Sequence, residues 1–304
     1  MLSANCPVCK SNKSSLFLDR IFDSLITKVL ECSNCGMQFL HPMMNDKEED
    51  RYYSNYYKKQ QKRYFKQSSL QEIQQNSFKH YKQYYDLYHK IIKGRQKILE
   101  IGSGAGGFIK FIKTHCPAAE IVAIEKSKPN LDFLKKSFKD VRLLSDIHEL
   151  KLTNKFDLIA GFGILDHLRN GLAFLTYLRP FLNNSNSPAV FNVCNKRNPL
   201  MAIYDLEEFK RFNYMKQHPC TYSIKALRIL AKKAGYRIER INYLQVWGLD
   251  NHISWLKNRE PREFSKYTDI LSTNTLKAYN NDLIKLQTTD LMMISMRKSR
   301  KLEV

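Results

Sequence analysis

The chain has 304 residues and carries 50 Lys and Arg against 29 Asp and Glu, a formal net charge of +21. No uninterrupted apolar run of about 18 residues occurs and no hydrophobic stretch precedes Cys6, which speaks against a transmembrane helix or secretion signal and for a cytoplasmic protein. Seven cysteines, four of them in two C-x-x-C pairs, fit a reducing compartment with a metal site better than a disulfide framework. The positive charge suits anionic partners, although the abundance of Lys, Asn, Ile and Tyr offers a plainer compositional reading.

Residues 1–45 read as a separate zinc-ribbon module. Cys6-Pro-Val-Cys9 and Cys32-Ser-Asn-Cys35 are two knuckles with 22 residues between Cys9 and Cys32. Each tight turn presents two thiolates, and two such turns supply a tetrahedral, closed, structural zinc site. Leu16 to Leu18 and Ile26 to Cys32 read as the ribbon's strands.

Residues 46–96 form a basic, tyrosine-rich helical segment. From Arg51 to Lys97 there are twelve Lys and Arg, nine Tyr, and only two acids, Glu72 and Asp86. Leu70, Ile73, Phe78, Tyr81, Tyr85, Tyr88 and Ile92 recur at three- and four-residue spacings, the pattern of a helix lying on the next domain. Tyrosines beside cations can also stack on bases or sugars, a reading that fits Tyr52, Tyr53, Tyr56 and Tyr57 best.

From Lys97 the pattern alternates. Strands are expected at 97–101, 120–125, 141–144, 156–161 and 188–193, with helices at 107–115, 129–138 and 171–182. This rhythm predicts an α/β, doubly wound, Rossmann-like parallel sheet whose ligands sit beyond the carboxyl ends of the strands. Residues 195–221 read as a loop, 223–234 as a helix with Ser223 as its N-cap, and 236–246 as a strand. An insert at 247–289 and a final strand at 291–296 complete a domain spanning 97–304.

The first of those strands runs into Glu100-Ile-Gly102-Ser-Gly104-Ala-Gly106-Gly107, a strand–glycine loop–helix unit that lets a ligand approach the backbone. The glycines also fit a dinucleotide loop. Glu100 decides between the two, because a carboxylate at the mouth would repel a pyrophosphate but suits the ammonium of S-adenosylmethionine. Glu125, at the end of the next strand, is placed to accept ribose hydroxyls, or to pair with Lys126 or Lys128. Asp146 and Ile147 follow the third strand, where adenine would lie; a helix cap is the other role for Asp146. His167, at the exit of the fourth strand, is the first candidate to orient an acceptor or take its proton, with His218, Tyr222 and His252 as further candidates. No Asp/Asn-Pro-Pro-aromatic element follows the fourth strand, which argues against methylation of a base's exocyclic amine.

The ordered set of Cys6-x-x-Cys9, Cys32-x-x-Cys35-Gly36, Phe39-Leu-His-Pro42, Tyr52 to Tyr57, Glu100 to Gly106, Ile164-Leu-Asp-His167, Ala234-Gly-Tyr-Arg, and Asn251-His-Ile-Ser-Trp255 with Thr289-Asp290 resembles the class I S-adenosylmethionine-dependent methyltransferases that carry an N-terminal four-cysteine zinc module. The group includes sugar C-methyltransferases and enzymes of glycan and secondary-metabolite pathways. The resemblance implies a seven-stranded sheet, donor contacts from Gly102, Gly104, Gly106, Glu125 and Asp146, and zinc on Cys6, Cys9, Cys32 and Cys35. It also implies Tyr and His side chains around a small or carrier-linked anionic acceptor, for which His218, Tyr222 and His252 are the counterparts. Asp166 departs from the Glu more familiar before the histidine. Two other readings stand beside this one: an RNA methyltransferase using the ribbon and the basic surface, and a non-catalytic donor-binding scaffold.

Overall fold

The computed structural model describes residues 4–52, 69–260 and 268–299. Tyr53, Tyr56 and Tyr57, the end of the 257–264 segment, and the tail beyond Ser299 lie outside them.

Seven strands form the central sheet: β4 (Lys97–Ile101), β5 (Glu120–Ile124), β6 (Arg142–Leu144), β7 (Leu158–Gly161), β8 (Ala189–Cys194), β10 (Tyr236–Leu244) and β11 (Leu291–Lys298), in the order β10-β11-β8-β7-β4-β5-β6. The five strands from β4 to β8 run parallel, and they are almost wholly apolar because helices cover both faces. The strand β11 enters antiparallel between β8 and β10, so the sheet is mixed where the β–α rhythm predicts parallel strands. Its register sets Leu291 opposite both Cys194 and Leu244, which brings the 244–247 turn and Asp290 to the same edge as the carboxyl ends of β4 and β7.

The expected tyrosine-rich helix is two helices, α2 (Leu70–Gln83) and α3 (Tyr85–Ile92), broken at Tyr84; the short α1 (Asp46–Arg51) precedes them. Tyr81, Tyr88 and Ile92 are buried against Phe108 and Phe111, so these tyrosines pack rather than face solvent. The 195–221 stretch is less irregular than its polarity implies: it holds α7 (Pro199–Ala202), α8 (Glu207–Asn213) and β9 (Cys220–Thr221). The insert contributes α10 (Leu249–Asn258) and α11 (Thr273–Lys285). Among the described residues no helix is long and apolar enough to cross a membrane.

The N-terminal hairpin strands β1 (Ser14–Leu18), β2 (Lys28–Cys32) and β3 (Gln38–His41) form a second, antiparallel sheet. Here the structure differs from a separate module. Its fourth strand is β9, paired Gln38 to Thr221 and Phe39 to Cys220, and its apolar residues share one core with the central sheet's helices. The larger domain supplies the fourth strand and shares its core with the hairpin.

Candidate functional site

The glycine loop leaves β4 and turns into α4 (Gly107–His115). Gly102 and Ser103 donate backbone N–H bonds to the Ile124 carbonyl at 2.8 and 3.2 Å, fixing the loop across the end of β5. Gly102 has φ +71°, and a Cβ there would stand 2.1 Å from Ile164 Cδ1. Gly104 has φ +55° and nothing within 4 Å of the direction a Cβ would take, so its open side is where a ligand can meet bare backbone. Gly106 and Gly107 are small for packing, since a Cβ would meet Leu134 at 2.6 Å or Ser77 at 2.4 Å. The second of these contacts is where α2 crosses α4. From α2, Gln74 donates to the Ala105 carbonyl at 2.9 Å and ties the covering helix to the loop. Sequence reading passed over Gln74, although a polar residue four places after Leu70 on an apolar face was a legible signal.

Two acids meet at this loop. Glu125 accepts from Gly104 N–H and Ser127 N–H, each at 2.7 Å, and burial pushes its carboxyl up against the pull of those bonds. Glu100 is 3% exposed, and its Oε2, like the Ser103 hydroxyl oxygen, has no hydrogen-bond partner among the described residues. Burial pushes Glu100 up to about 8; the nearby Ser103 hydroxyl lowers it and the Glu125 charge adds to the rise. An unpartnered buried carboxyl beside an open glycine is a receptor for a cation. Asp146 displays the capping role: its Oδ1 accepts from His148 N–H at 2.8 Å at the head of a 3-10 turn, Ile147–Glu149. Ile147 is half-buried, with its carbonyl accepting from the Tyr177 hydroxyl at 3.2 Å.

Beyond β7, Gly163 N–H donates to Asn192 Oδ1 at 2.6 Å, and a 3-10 turn, Leu165–His167, follows. Asn192 is a second residue that sequence reading missed; its signal was a single amide inside the apolar run of β8. His167 and His218 come together with ring centroids 4.6 Å apart, and His167 also lines a small hollow with Glu49, Arg169, Lys216 and Gln217. Burial first, then the neighbouring His218, brings His167 down to about 4, with Asp166 opposing. It is therefore the neutral imidazole near pH 7. Arg169 forms ion pairs with Asp46 and with Glu49, the latter at 3.0 Å, so α1 closes over the exit turn.

The other two base candidates are placed elsewhere. Tyr222 is fully buried, donates to the Leu165 carbonyl at 3.3 Å, and has its phenol pushed far up by burial; it props the exit turn from beneath rather than facing a cleft. His252 is fully buried on α10 and bonds the Tyr279 hydroxyl through Nδ1 at 2.5 Å. Its Nε2 lies 3.4 Å from Gln245 Nε2. Gln245 in turn bonds Asp290, which also accepts from Val246 N–H, Trp247 N–H and Asn198 Nδ2. This network staples the insert and the 195–198 turn to the sheet's carboxyl edge.

The four cysteines converge. Sγ atoms of Cys6 and Cys35, and of Cys9 and Cys32, stand 3.5 Å apart, and all four lie within 4.8 Å of one another. Each knuckle closes by a backbone bond to its first cysteine's carbonyl, from Lys10 at 3.0 Å and Gly36 at 2.8 Å, both at positive φ. Sulfurs at this separation fit a tetrahedral ion with bonds of about 2.3 Å. Lys196, Ser223 and Lys233 of the larger domain donate to the carbonyls of Gly36, Cys35 and Val8.

A family model described as a methyltransferase domain matches residues 70–241. A probable (S)-tetrahydroprotoberberine N-methyltransferase 2 of Papaver bracteatum is 23% identical in a match covering 34% of this chain and 31% of that protein, so the chain spans under a third of that relative's length. Among solved structures, a SAM-dependent methyltransferase from Archaeoglobus fulgidus is similar at TM-score 0.49 and 15% identity, covering 80% of this chain and 100% of that one. The plantazolicin methyltransferase BpumL in complex with SAH is similar at TM-score 0.46 and 18% identity, covering 84% and 92%.

Proposed function

The chain belongs to the methyltransferase-domain family of S-adenosylmethionine-dependent enzymes, and we propose that its acceptor is a small or carrier-linked molecule, a sugar, glycan or secondary-metabolite precursor. The observation that carries the donor side is the pairing of Gly104, open to solvent at positive φ, with the unpartnered Glu100 carboxyl oxygen at the same loop. In this reading Glu100 faces the methionine ammonium, Gly102, Gly104 and Gly106 give the donor its backbone bed, Glu125 takes the ribose hydroxyls, and Asp146 and Ile147 border the adenine. The methyl then projects toward the 163–167 exit.

Transfer is an in-line displacement in which alignment of acceptor and sulfonium carbon supplies most of the rate. His167 and His218 are the pair that borders the acceptor; Tyr222 and His252 act on it through the turns they hold. We propose zinc for Cys6, Cys9, Cys32 and Cys35 as a structural ion, on the strength of four converging thiols and two closed knuckles. The absence of an exocyclic-amine motif after the fourth strand supports a small acceptor over a nucleic-acid base despite the +21 charge.

The test is incubation of the protein with methyl-labelled donor and a cell extract separated into small molecules, carrier-linked glycans and RNA. Label in either of the first two fractions is expected. Label confined to RNA overturns the acceptor proposal.

A further inference from the structure

We infer that Asp166, His167 and His218 form a second metal site, for a first-row divalent cation, where the 165–167 turn after β7 meets the segment before β9. One ligand atom from each lies within 4.8 Å of the other two. Two imidazoles and a carboxylate are a donor set suited to Mn(II), Fe(II) or Zn(II), and three protein ligands leave positions open for an oxygen-bearing molecule.

Three further observations point to a cation rather than to a packed pair of rings. Asp166 is 3% exposed; its Oδ2 accepts from Cys194 N–H at 3.2 Å, the Cys194 thiol also lies against the carboxylate, and Oδ1 is buried with no hydrogen-bond partner among the described residues. A buried carboxylate oxygen without a hydrogen-bond donor is stabilised by a positive charge. His218 Nδ1 lies 3.3 Å from the Asn213 carbonyl. With its proton there, Nε2 keeps its lone pair, and this outer hydrogen bond is the one that orients ligating imidazoles. The Cys194 bond does the same for the carboxylate. Third, the rings meet at 68°, edge against face, so neither covers the other's nitrogens by stacking. Arg169, which lines the hollow beside His167, is already engaged by Asp46 and Glu49, and Lys216 lines the same hollow. An anion in the same place would face Asp166.

The ribbon sets the position of His218. Leu40 of β3 donates to the carbonyl of Pro219, the next residue, at 3.0 Å, and β9 follows directly. The four-cysteine module thereby holds one ligand of the second site.

Only the purpose of this cation rests on the methyl-transfer reading. A bound acceptor hydroxyl would lose its proton to water more readily. Its oxygen would then take the methyl as the S–CH3 bond breaks, and the sulfonium would leave as a neutral thioether.

The experiment uses the protein with zinc on its four cysteines and the second site emptied by a mild chelator, without donor or acceptor. Hard Mn(II) does not compete for a tetrathiolate, so its binding is followed by loss of the free-ion resonance, and total zinc by elemental analysis after zinc incubation and desalting. The wild type should bind one Mn(II) per chain and show imidazole-nitrogen coupling to it by spin-echo modulation, and in a parallel sample given zinc instead of Mn(II) it should retain two zinc equivalents. His218→Ala should weaken Mn(II) binding at least about tenfold and retain one zinc. A wild type with one zinc and no Mn(II), or bound Mn(II) without nitrogen coupling, overturns the site; this measurement needs no variant to fold. Binding of S-adenosylhomocysteine, measured separately, reports on the methyl-transfer reading alone.

Discussion

Replacing Gly104 by alanine should separate donor binding from folding. Gly104 sits at φ +55° with nothing within 4 Å of an added Cβ. The methyl group therefore costs the free protein only left-handed backbone strain, about 1–2 kcal/mol. For a domain of this size that is a fall in melting temperature of roughly 2–8 °C. The same methyl occupies the space through which the donor reaches the backbone. Overpacking of about 1–3 kcal/mol there weakens binding about 5- to 150-fold. Gly102→Ala is the contrast: its Cβ would meet Ile164 at 2.1 Å in the unliganded protein. Steric cost then adds to strain, for a loss of about 2–5 kcal/mol of stability. Thermal melting with titration of S-adenosylhomocysteine into each variant gives both numbers. A Gly104→Ala protein that binds the ligand as tightly as wild type would show that the donor does not lie on this loop.

Three other outcomes follow from the site. Burial raises Glu100 to about 8 from 4.5. Since the unfolded chain gives up that proton first, this group's contribution to stability falls as pH rises between those values. The ammonium should ionise it, so donor binding at pH 7 should release protons, seen as buffer-dependent calorimetric heat that disappears in Glu100→Gln; heat independent of buffer in the wild type argues against the pairing. Asp290→Ala strands the N–H groups of Val246 and Trp247 and the Asn198 amide, while Gln245 keeps its bond to the Trp247 carbonyl, and should cost about 3–5 kcal/mol in urea unfolding; a loss under 1 kcal/mol, on the order of one ordinary hydrogen bond, would mean that the network does not hold the insert. Cys9→Ser should lose zinc and most turnover while donor affinity falls less than about tenfold, because the donor loop hangs from β4 and β5 whereas the ribbon holds β9 and His218; unchanged turnover without zinc contradicts that coupling.

What was legible from sequence follows periodicity and punctuation. The strand before the glycine loop and the helix after it fall at 97–101 and 107–115 as expected, because an apolar run, a glycine turn and an amphipathic run each leave local signals. The knuckles were equally plain, since each C-x-x-C turn is a local structure. What escaped depends on long-range pairing. Nothing near Cys220 announces that it extends a sheet begun at Ser14, and a stretch as polar as 195–221 conceals two short helices. The base candidates show the same limit. His167 and His218 are 51 positions apart and meet only through β9, while Tyr222 and His252, chosen for their chemistry, are drawn inward by packing.

The central claim is that this loop binds the methyl donor, and calorimetric titration with S-adenosylhomocysteine tests it most directly. One site per chain in the wild type is expected, with Glu125→Ala weaker because it loses both the ribose contact and the acceptor for Gly104 and Ser127 N–H. No heat at millimolar ligand, or a Glu125→Ala protein indistinguishable from wild type, would contradict it.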